Sequence, residues 1–136
     1  MCIDKKANCA VHPVEGIPFS KLLDIDVKHS SEQNIVLETV ITEKHMNSLG
    51  ITHGGALISF AVTAMEMIAS KANDKLSLSH IDVNFLRPVD AASRLKTVAA
   101  VSHRDSHTVL VESHISDEKE QLVLKVCGTF LSDELC

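Results

Sequence analysis

The chain has 136 residues, of which 45% are hydrophobic and 23% charged, with a formal net charge of −5. This composition is typical of one ordinary globular domain that is long enough to bury a core. Acidic and basic residues are interspersed, which excludes the basic stripe of a nucleic-acid-binding protein. There is no N-terminal signal, and the one long apolar run is shorter than a membrane span of about 20 residues. We therefore expect a cytoplasmic protein with no nucleic-acid or membrane partner.

The first half of the chain predicts an arm and then a hairpin. Residues 1–16 show no periodicity, and we expect a flexible N-terminal arm followed by one domain over residues 17–136. Pro18 is placed to begin a short helical turn. Apolar and polar residues alternate around 25–27 and again over 35–42, with a polar turn at 30–34. The two predicted strands pair most simply as a hairpin.

The segment 45–70, HMNSLGITHGGALISFAVTAMEMIAS, is the predicted centre of the fold. It begins as a turn-prone loop and becomes a run whose apolar residues surround the whole circumference of a helix. Such a helix must be buried. Strands are predicted to follow at 76–86, 95–101, 108–115 and 122–130, with turns at 103–106 and 117–120. The sequence therefore predicts an α+β protein in which an antiparallel sheet of five to six strands wraps one long central helix, the hotdog fold.

The start of this helix has the features of a binding site for a carbonyl oxygen. The first amides of a helix lack partners within it, and the macrodipole makes that end positive. Gly54 and Gly55 have no Cβ atoms to keep a ligand away. Asn47 and His53 flank the place with side chains that orient a carbonyl or a water. The alternative is that the two glycines only permit a tight turn and close packing of helix on sheet.

The predicted helix carries one polar stripe, formed by Ser59, Thr63, Glu66 and Ser70. A carboxylate in so apolar a helix is costly unless it is paired, hydrated or used, so Glu66 is a candidate general base with a raised pKa. The alternative is a stripe that reaches solvent or meets a basic partner. Glu66 lies roughly 20 Å along the axis from His53, which favours a site completed by a second chain.

The motif His45-x-Asn47-x-x-Gly50-x-x-His53-Gly54-Gly55 resembles that of the hotdog-fold acyl-CoA thioesterases of the phenylacetic-acid-pathway type. The stretch 80–89, HIDVNFLRPV, is similar to the family's strand after the helix, and the resemblance covers about residues 17–131. It implies hydrolysis of a CoA thioester by water, without metal or other cofactor, in a homotetramer built from two-fold dimers. It also implies that the amide of Gly54 binds the thioester carbonyl and that Asn47 positions the substrate.

The resemblance further implies a catalytic carboxylate from the partner subunit, nine residues after the motif histidine. That position is Val62, which neither takes a proton from water nor attacks a thioester. Glu66 lies one turn further, about 6 Å along the axis. Either Glu66 substitutes for the missing acid, or the protein hydrolyses poorly and mainly binds acyl-CoA or a related ligand.

The expected phosphate-binding positions also depart from the family. Asp90 and Asp105 stand where relatives tend to have basic residues or glycine, so CoA is expected to bind through Arg87, Arg94 or Arg104 or to be replaced by another carrier. We expect Asn47, His53, Gly54 and Glu66 to act in catalysis. The residues expected to contact substrate are Gly55, Ser59, Val62, Thr63, Arg87 and Arg104. A zinc site among the histidines and a triad at Ser59 are rejected, because no spacing matches either.

Overall fold

The computed structural model describes residues 23–72 and 75–132. In chain order the elements are strands β1 (Asp26–Ser30) and β2 (Asn34–Val40), a 3-10 helix (Glu43–His45), helix α1 (Gly54–Ala72), and strands β3 (Leu76–Phe85), β4 (Arg94–Arg104), β5 (Thr108–Ser116) and β6 (Leu122–Ser132). The predicted arm, the domain boundary at residue 17 and the helical turn at Pro18 lie outside the described residues.

The six strands form one antiparallel sheet in the order β1-β2-β4-β5-β6-β3. Helix α1 packs mainly against the two central strands, β4 and β5. The predicted hairpin of β1 with β2 and the predicted hotdog arrangement are both confirmed. After β2 the chain forms the site loop and α1, and it then enters β3 at the opposite edge of the sheet. Among the described strands, β1 and β3 are therefore the two edges of the sheet.

Helix α1 is held by a core built from its own apolar positions and the inner faces of the strands. Five of its side chains, Phe60, Ala61, Ala64, Met65 and Ile68, are fully buried. The alanines bring the helix axis close to the sheet. On β6, Gly128 serves the same purpose, because a Cβ there would lie 2.1 Å from Cε of Met65. Over residues 23–72 and 75–132, no helical segment is both long and apolar enough to cross a bilayer.

Strand β4 continues beyond its predicted end. The sequence places a turn at 103–106, but the strand runs to Arg104 and the turn follows at Asp105. A bulge between Val101 and His103 adds one residue without ending the ladder with β5. The Asp105 carboxylate then accepts hydrogen bonds from the amides of His107 and Thr108, at 2.9 Å each. The turn is therefore set by an aspartate that binds its own backbone.

Strand β3 presents an apolar face toward the helix. A bulge between Leu78 and His80 shifts the register against β6. As a result Leu78 and Ile81 lie on the same side, and a methyl from each lies 3.6 Å from where a Cβ of Gly128 would be. At the end of the strand the Phe85 ring lies against Gly54, on the first turn of α1. The bulge therefore brings the apolar side chains on its two sides to the same face of β3.

Candidate functional site

The loop before α1 is held in shape by Asn47. Its Oδ1 accepts hydrogen bonds from the amides of Leu49 (2.8 Å) and Ile51 (3.4 Å), and its backbone amide donates to the Ile51 carbonyl at 2.8 Å. The turn closes at Gly50, whose φ of +80° suits glycine. The side-chain oxygen of Asn47 is thus occupied by the loop. Its side-chain nitrogen makes no hydrogen bond within the described part of the chain, so it remains a donor for a ligand.

His53 ends the loop and caps the helix. Its carbonyl accepts from the amides of Ala56 (3.0 Å) and Leu57 (3.3 Å), which makes it the N-cap residue and Gly54 the first helical residue. Its ring atom Nδ1 accepts from the amide of Gly55 at 2.8 Å. Three of the first four helical amides therefore have acceptors. The remaining amide, that of Gly54, has no acceptor among residues 23–72 and 75–132.

The free amide of Gly54 lies beside an exposed aromatic ring. An added Cβ at Gly54 would lie 3.1 Å from Cε1 and 3.3 Å from Cζ of Phe85. Phe85 is 56% exposed, whereas Phe60 and Phe130 are buried in the core. The ring forms an apolar wall next to the positive end of the helix. The amide of Gly54 therefore lies in a partly desolvated place, where a hydrogen bond is stronger than in water.

A second contact ties the site loop to the connection between β3 and β4. The amide and the hydroxyl of Thr52 both donate to the carbonyl of Val89, at 2.9 and 2.8 Å. Met46 and Thr52 also form an isolated antiparallel bridge. The segment that contains Arg87 is thus joined to the loop that contains Asn47 and His53.

Arg87 lines a cavity of about 280 Å³ between this connection and the β5–β6 turn. Asp90, Asp117 and Glu118 line it too, opposed by Arg87 and Lys119. Three carboxylates against two cations do not favour a phosphate. Arg104 lies at the other end of β4, about 33 Å from its first residue at about 3.3 Å per residue. One protomer therefore does not bring Arg87 and Arg104 to the same phosphate group.

The polar stripe of α1 is on the accessible side of the helix. The Ser59 hydroxyl donates to the Gly55 carbonyl at 2.8 Å, while Val62 and Thr63 are half-buried. Glu66 is exposed in the protomer and has no cation partner among the described residues, yet desolvation by the surrounding protein atoms raises its pKa. Twelve residues separate Glu66 from Gly54, about 18 Å along the helix. Within one protomer these two groups do not meet.

Two further residues of the site were not singled out as functional by the sequence. Phe85 lies in the stretch 80–89 that resembles the family's strand after the helix, and His45 is the first residue of the motif. His45 is 4% exposed and its ring lies edge-on to Phe60, with centroids 5.5 Å apart. The signal for His45 was its spacing three residues after Thr42, which is that of a capping box. The described residues contain no group of three side chains that could hold a metal ion.

A family model described as Thioesterase superfamily matches residues 49–124, more than half of the chain. The acyl-coenzyme A thioesterase PaaI of Escherichia coli is 28% identical over 109 residues, which cover 80% of this chain and 78% of PaaI. The solved structure of the E. coli PaaI protein aligns with a TM-score of 0.82 at 26% identity, covering 88% and 86% of the two chains. The structure of smu.793 from Streptococcus mutans bound to acetyl CoA aligns with a TM-score of 0.78 at 16% identity, covering 81% and 89%, and shows the shared fold alone.

Proposed function

Because the chain belongs to the thioesterase superfamily, we propose that it hydrolyses acyl-CoA thioesters to the free acid and CoA. One observation carries the proposal: at the positive end of a buried helix, the amide of Gly54 has no acceptor among the described residues. Such a donor stabilises negative charge that develops on a carbonyl oxygen. The similarity to E. coli PaaI supports an acyl-CoA as the substrate.

The reaction proceeds by addition of water to the carbonyl bound at Gly54. As water adds to the carbonyl carbon and loses a proton to a base, the C=O electrons move to the oxygen and form an oxyanion. The Gly54 amide donates to that oxyanion, and a donor of this kind is typically worth about 3 kcal/mol. When the C=O bond re-forms, the C–S bond breaks and CoA leaves as the thiolate. The side-chain amide of Asn47 positions the acyl group, and the His53 ring keeps the Gly55 amide occupied so that Gly54 alone binds the oxygen.

A second protomer completes the site in this proposal, and the two edges of the sheet support it. The β1 edge is short and polar, because the strand has only five residues and four of them, Asp26, Lys28, His29 and Ser30, are exposed. The β3 edge has ten residues and leaves Leu78 and Phe85 accessible. A long edge strand with accessible apolar side chains offers its unpaired backbone groups to another chain. We therefore propose an antiparallel dimer through β3, which associates further into a homotetramer.

In this dimer the base comes from the other protomer. The family position for the acid is Val62, so the nearest carboxylate on the accessible face is that of Glu66. Its raised pKa makes it a better proton acceptor than an ordinary glutamate. A bridging water spans the extra turn, about 6 Å, between residues 62 and 66. Glu66 of the partner subunit then faces the Gly54 amide.

Release of thiol is the direct test of hydrolysis. We expect purified protein to release free CoA thiol from aryl- and medium-chain acyl-CoAs, and Glu66→Gln to lower the rate by about 10²-fold, the lower range of general-base assistance. Glu112→Gln is the matched control, because Glu112 is an exposed glutamate on β5. An unchanged rate in Glu66→Gln removes Glu66 from the mechanism. Absence of thiol release across the panel contradicts the proposed hydrolysis.

A second function, binding of acyl-CoA or a related ligand without turnover, is favoured by the missing acid at Val62. In that case acyl-CoA binds with a measurable heat in calorimetry, no thiol appears, and Glu66→Gln leaves the affinity unchanged. Thiol release that depends on Glu66 excludes this function. Thiol release, measured on the same samples, therefore distinguishes hydrolysis from binding without turnover.

A further inference from the structure

A buried histidine holds the loop that places the free amide. His45 ends the 3-10 helix after β2, and its carbonyl accepts from the amide of His53 at 2.7 Å. His53 is the residue directly before Gly54. The position of the Gly54 amide therefore depends on the position of the His45 backbone.

The ring of His45 fixes that backbone in turn. Its Nδ1 accepts a hydrogen bond from the amide of Thr42 at 3.0 Å, and the amide of His45 donates to the Thr42 carbonyl at 3.0 Å. The His45 ring also makes an edge-on contact with the ring of Phe60 on α1. The buried His45 ring thus links the segment after β2, the site loop and helix α1. Loss of the Nδ1 acceptor leaves the Thr42 amide without its partner.

This geometry requires a neutral ring. Because Nδ1 accepts, the proton of the neutral imidazole is on Nε2, which is buried and has no partner among the described residues. Burial lowers the pKa of His45; Lys44 lowers it further, and Asp24 opposes this. Lys44 and Asp24 form an ion pair with each other, and α1 presents only the uncharged Phe60 ring. A second proton on Nδ1 would face the Thr42 N–H, so that contact would become a repulsion and only the longer contact with the Thr42 hydroxyl, at 3.4 Å, would remain.

We propose that His45 is a positioning residue: as a neutral, buried imidazole it holds the amide of Gly54 in place, and its protonation releases the loop and lowers turnover in mild acid. The effect on turnover rests on the proposed thioesterase function, whereas the structural part does not. If the His45 ring only filled space, its protonation would leave the amides at the start of α1 unchanged.

The structural part is tested on the ligand-free full chain by following the imidazole nitrogens and backbone amides by NMR from about pH 8 down to about pH 4, which extends below the range in which ordinary histidine titrates. We expect the Nε2–H tautomer at neutral pH and a titration midpoint below that of ordinary histidine. The amide signals of residue 53, Gly54 and Gly55 are expected to move with the same midpoint, also in His53→Asn, which has no second imidazole on the Gly55 amide. A protonated Nδ1 at neutral pH, or a titration that leaves these three amides unmoved, overturns the proposal.

The catalytic part is tested by two variants with opposite properties. His45→Asn keeps an acceptor for the Thr42 amide and cannot titrate, so it is expected to retain kcat and to lose the His45-dependent fall below neutral pH. His45→Phe keeps an aromatic ring against Phe60 without the acceptor, and kcat at neutral pH is expected to fall roughly five- to tenfold, the worth of one net hydrogen bond. Equal activity in both variants overturns the proposal.

The outcomes separate this inference from the proposed function. If the wild-type protein releases no thiol while the amides still titrate with His45, the proposed hydrolysis fails and the structural role of His45 stands. If neither variant folds, the NMR titration of the wild-type chain decides the inference alone. If thiol is released with a pH profile indifferent to His45→Asn, the histidine has no role in turnover.

Discussion

The amide of Gly54 can be removed without removing the helix. Gly54 is the first residue of α1, a position where proline is favoured because its missing N–H has no partner within the helix. The hydrogen bonds of the first turn use the amides of Gly55, Ala56 and Leu57, so none of them is lost in Gly54→Pro. The residue before a proline must be extended, as an N-cap residue normally is. The helix start is therefore expected to survive the substitution.

Gly54→Ala is the matched control. Both variants add a Cβ that would lie 3.1 Å from the Phe85 ring, and this exposed ring can move aside in both. Only the alanine variant keeps the N–H. Proline replaces the N–H with its ring Cδ, so a carbonyl loses the donor and also meets a methylene there. We expect kcat/KM to fall by at least about 10²- to 10³-fold in Gly54→Pro relative to Gly54→Ala, the worth of one oxyanion donor.

The assay is steady-state release of CoA thiol, with circular dichroism to check that both variants keep their helix content. We expect the proline variant to lose most of its kcat/KM while its helix content stays the same. Equal kcat/KM in the two folded variants would refute the reasoning, because the amide would then contribute nothing to the transition state. Loss of fold in the proline variant alone would show that the helix start is not placed as described.

Four further outcomes are expected. Asn47→Asp keeps the oxygen that holds the loop and removes the side-chain amide, so kcat/KM should fall about tenfold at unchanged Tm, the worth of roughly one hydrogen bond; an unchanged rate would limit Asn47 to the loop. Val62→Asp restores an acid at the family position and should raise the rate of thiol release by about 10²-fold; no gain would place the defect elsewhere. Because desolvation raises the pKa of Glu66, its stabilising neutral form is lost as pH rises through that pKa, so Glu66→Gln should raise Tm at neutral pH and leave it nearly unchanged at about pH 4; a constant difference would contradict this. Gly128→Ala puts a methyl where Cε of Met65 lies and should cost about 1 kcal/mol in chemical denaturation, whereas equal stability would show that the contact is loose.

Much of the fold was predictable because its signals are local. The helix that is apolar on all sides and the alternating strands can be recognised from short windows of sequence. The order of the strands is different, since it depends on which edges meet after collapse. That β3 crosses to the far edge and pairs only with β6 within the described chain follows from no pattern within 76–86. The bulges at Leu78 and Val101 are equally non-local, because each is a property of two strands in register.

The site was predictable in kind but not in detail. The His-Gly-Gly motif predicts a helix start with free amides. Which glycine is free depends on the direction of the His53 ring, and in the structure that ring accepts from Gly55 and leaves Gly54 open. The burial of His45 was unpredictable for a similar reason, because a histidine in a polar loop is buried only when another element, here the Phe60 ring, covers it. Side-chain orientation and coverage by distant elements are not encoded in spacing.

The most direct measurement is the infrared frequency of a carbonyl bound at the helix start. A stable acyl-CoA analogue, with CH2 in place of the thioester sulfur and a 13C-labelled carbonyl, is bound to the wild-type protein and to Gly54→Pro. A hydrogen bond from the Gly54 amide weakens the C=O bond, so the stretch is expected at lower frequency in the wild-type complex than in water, with this shift lost in the proline variant. A carbonyl frequency that is the same in both complexes would contradict the account.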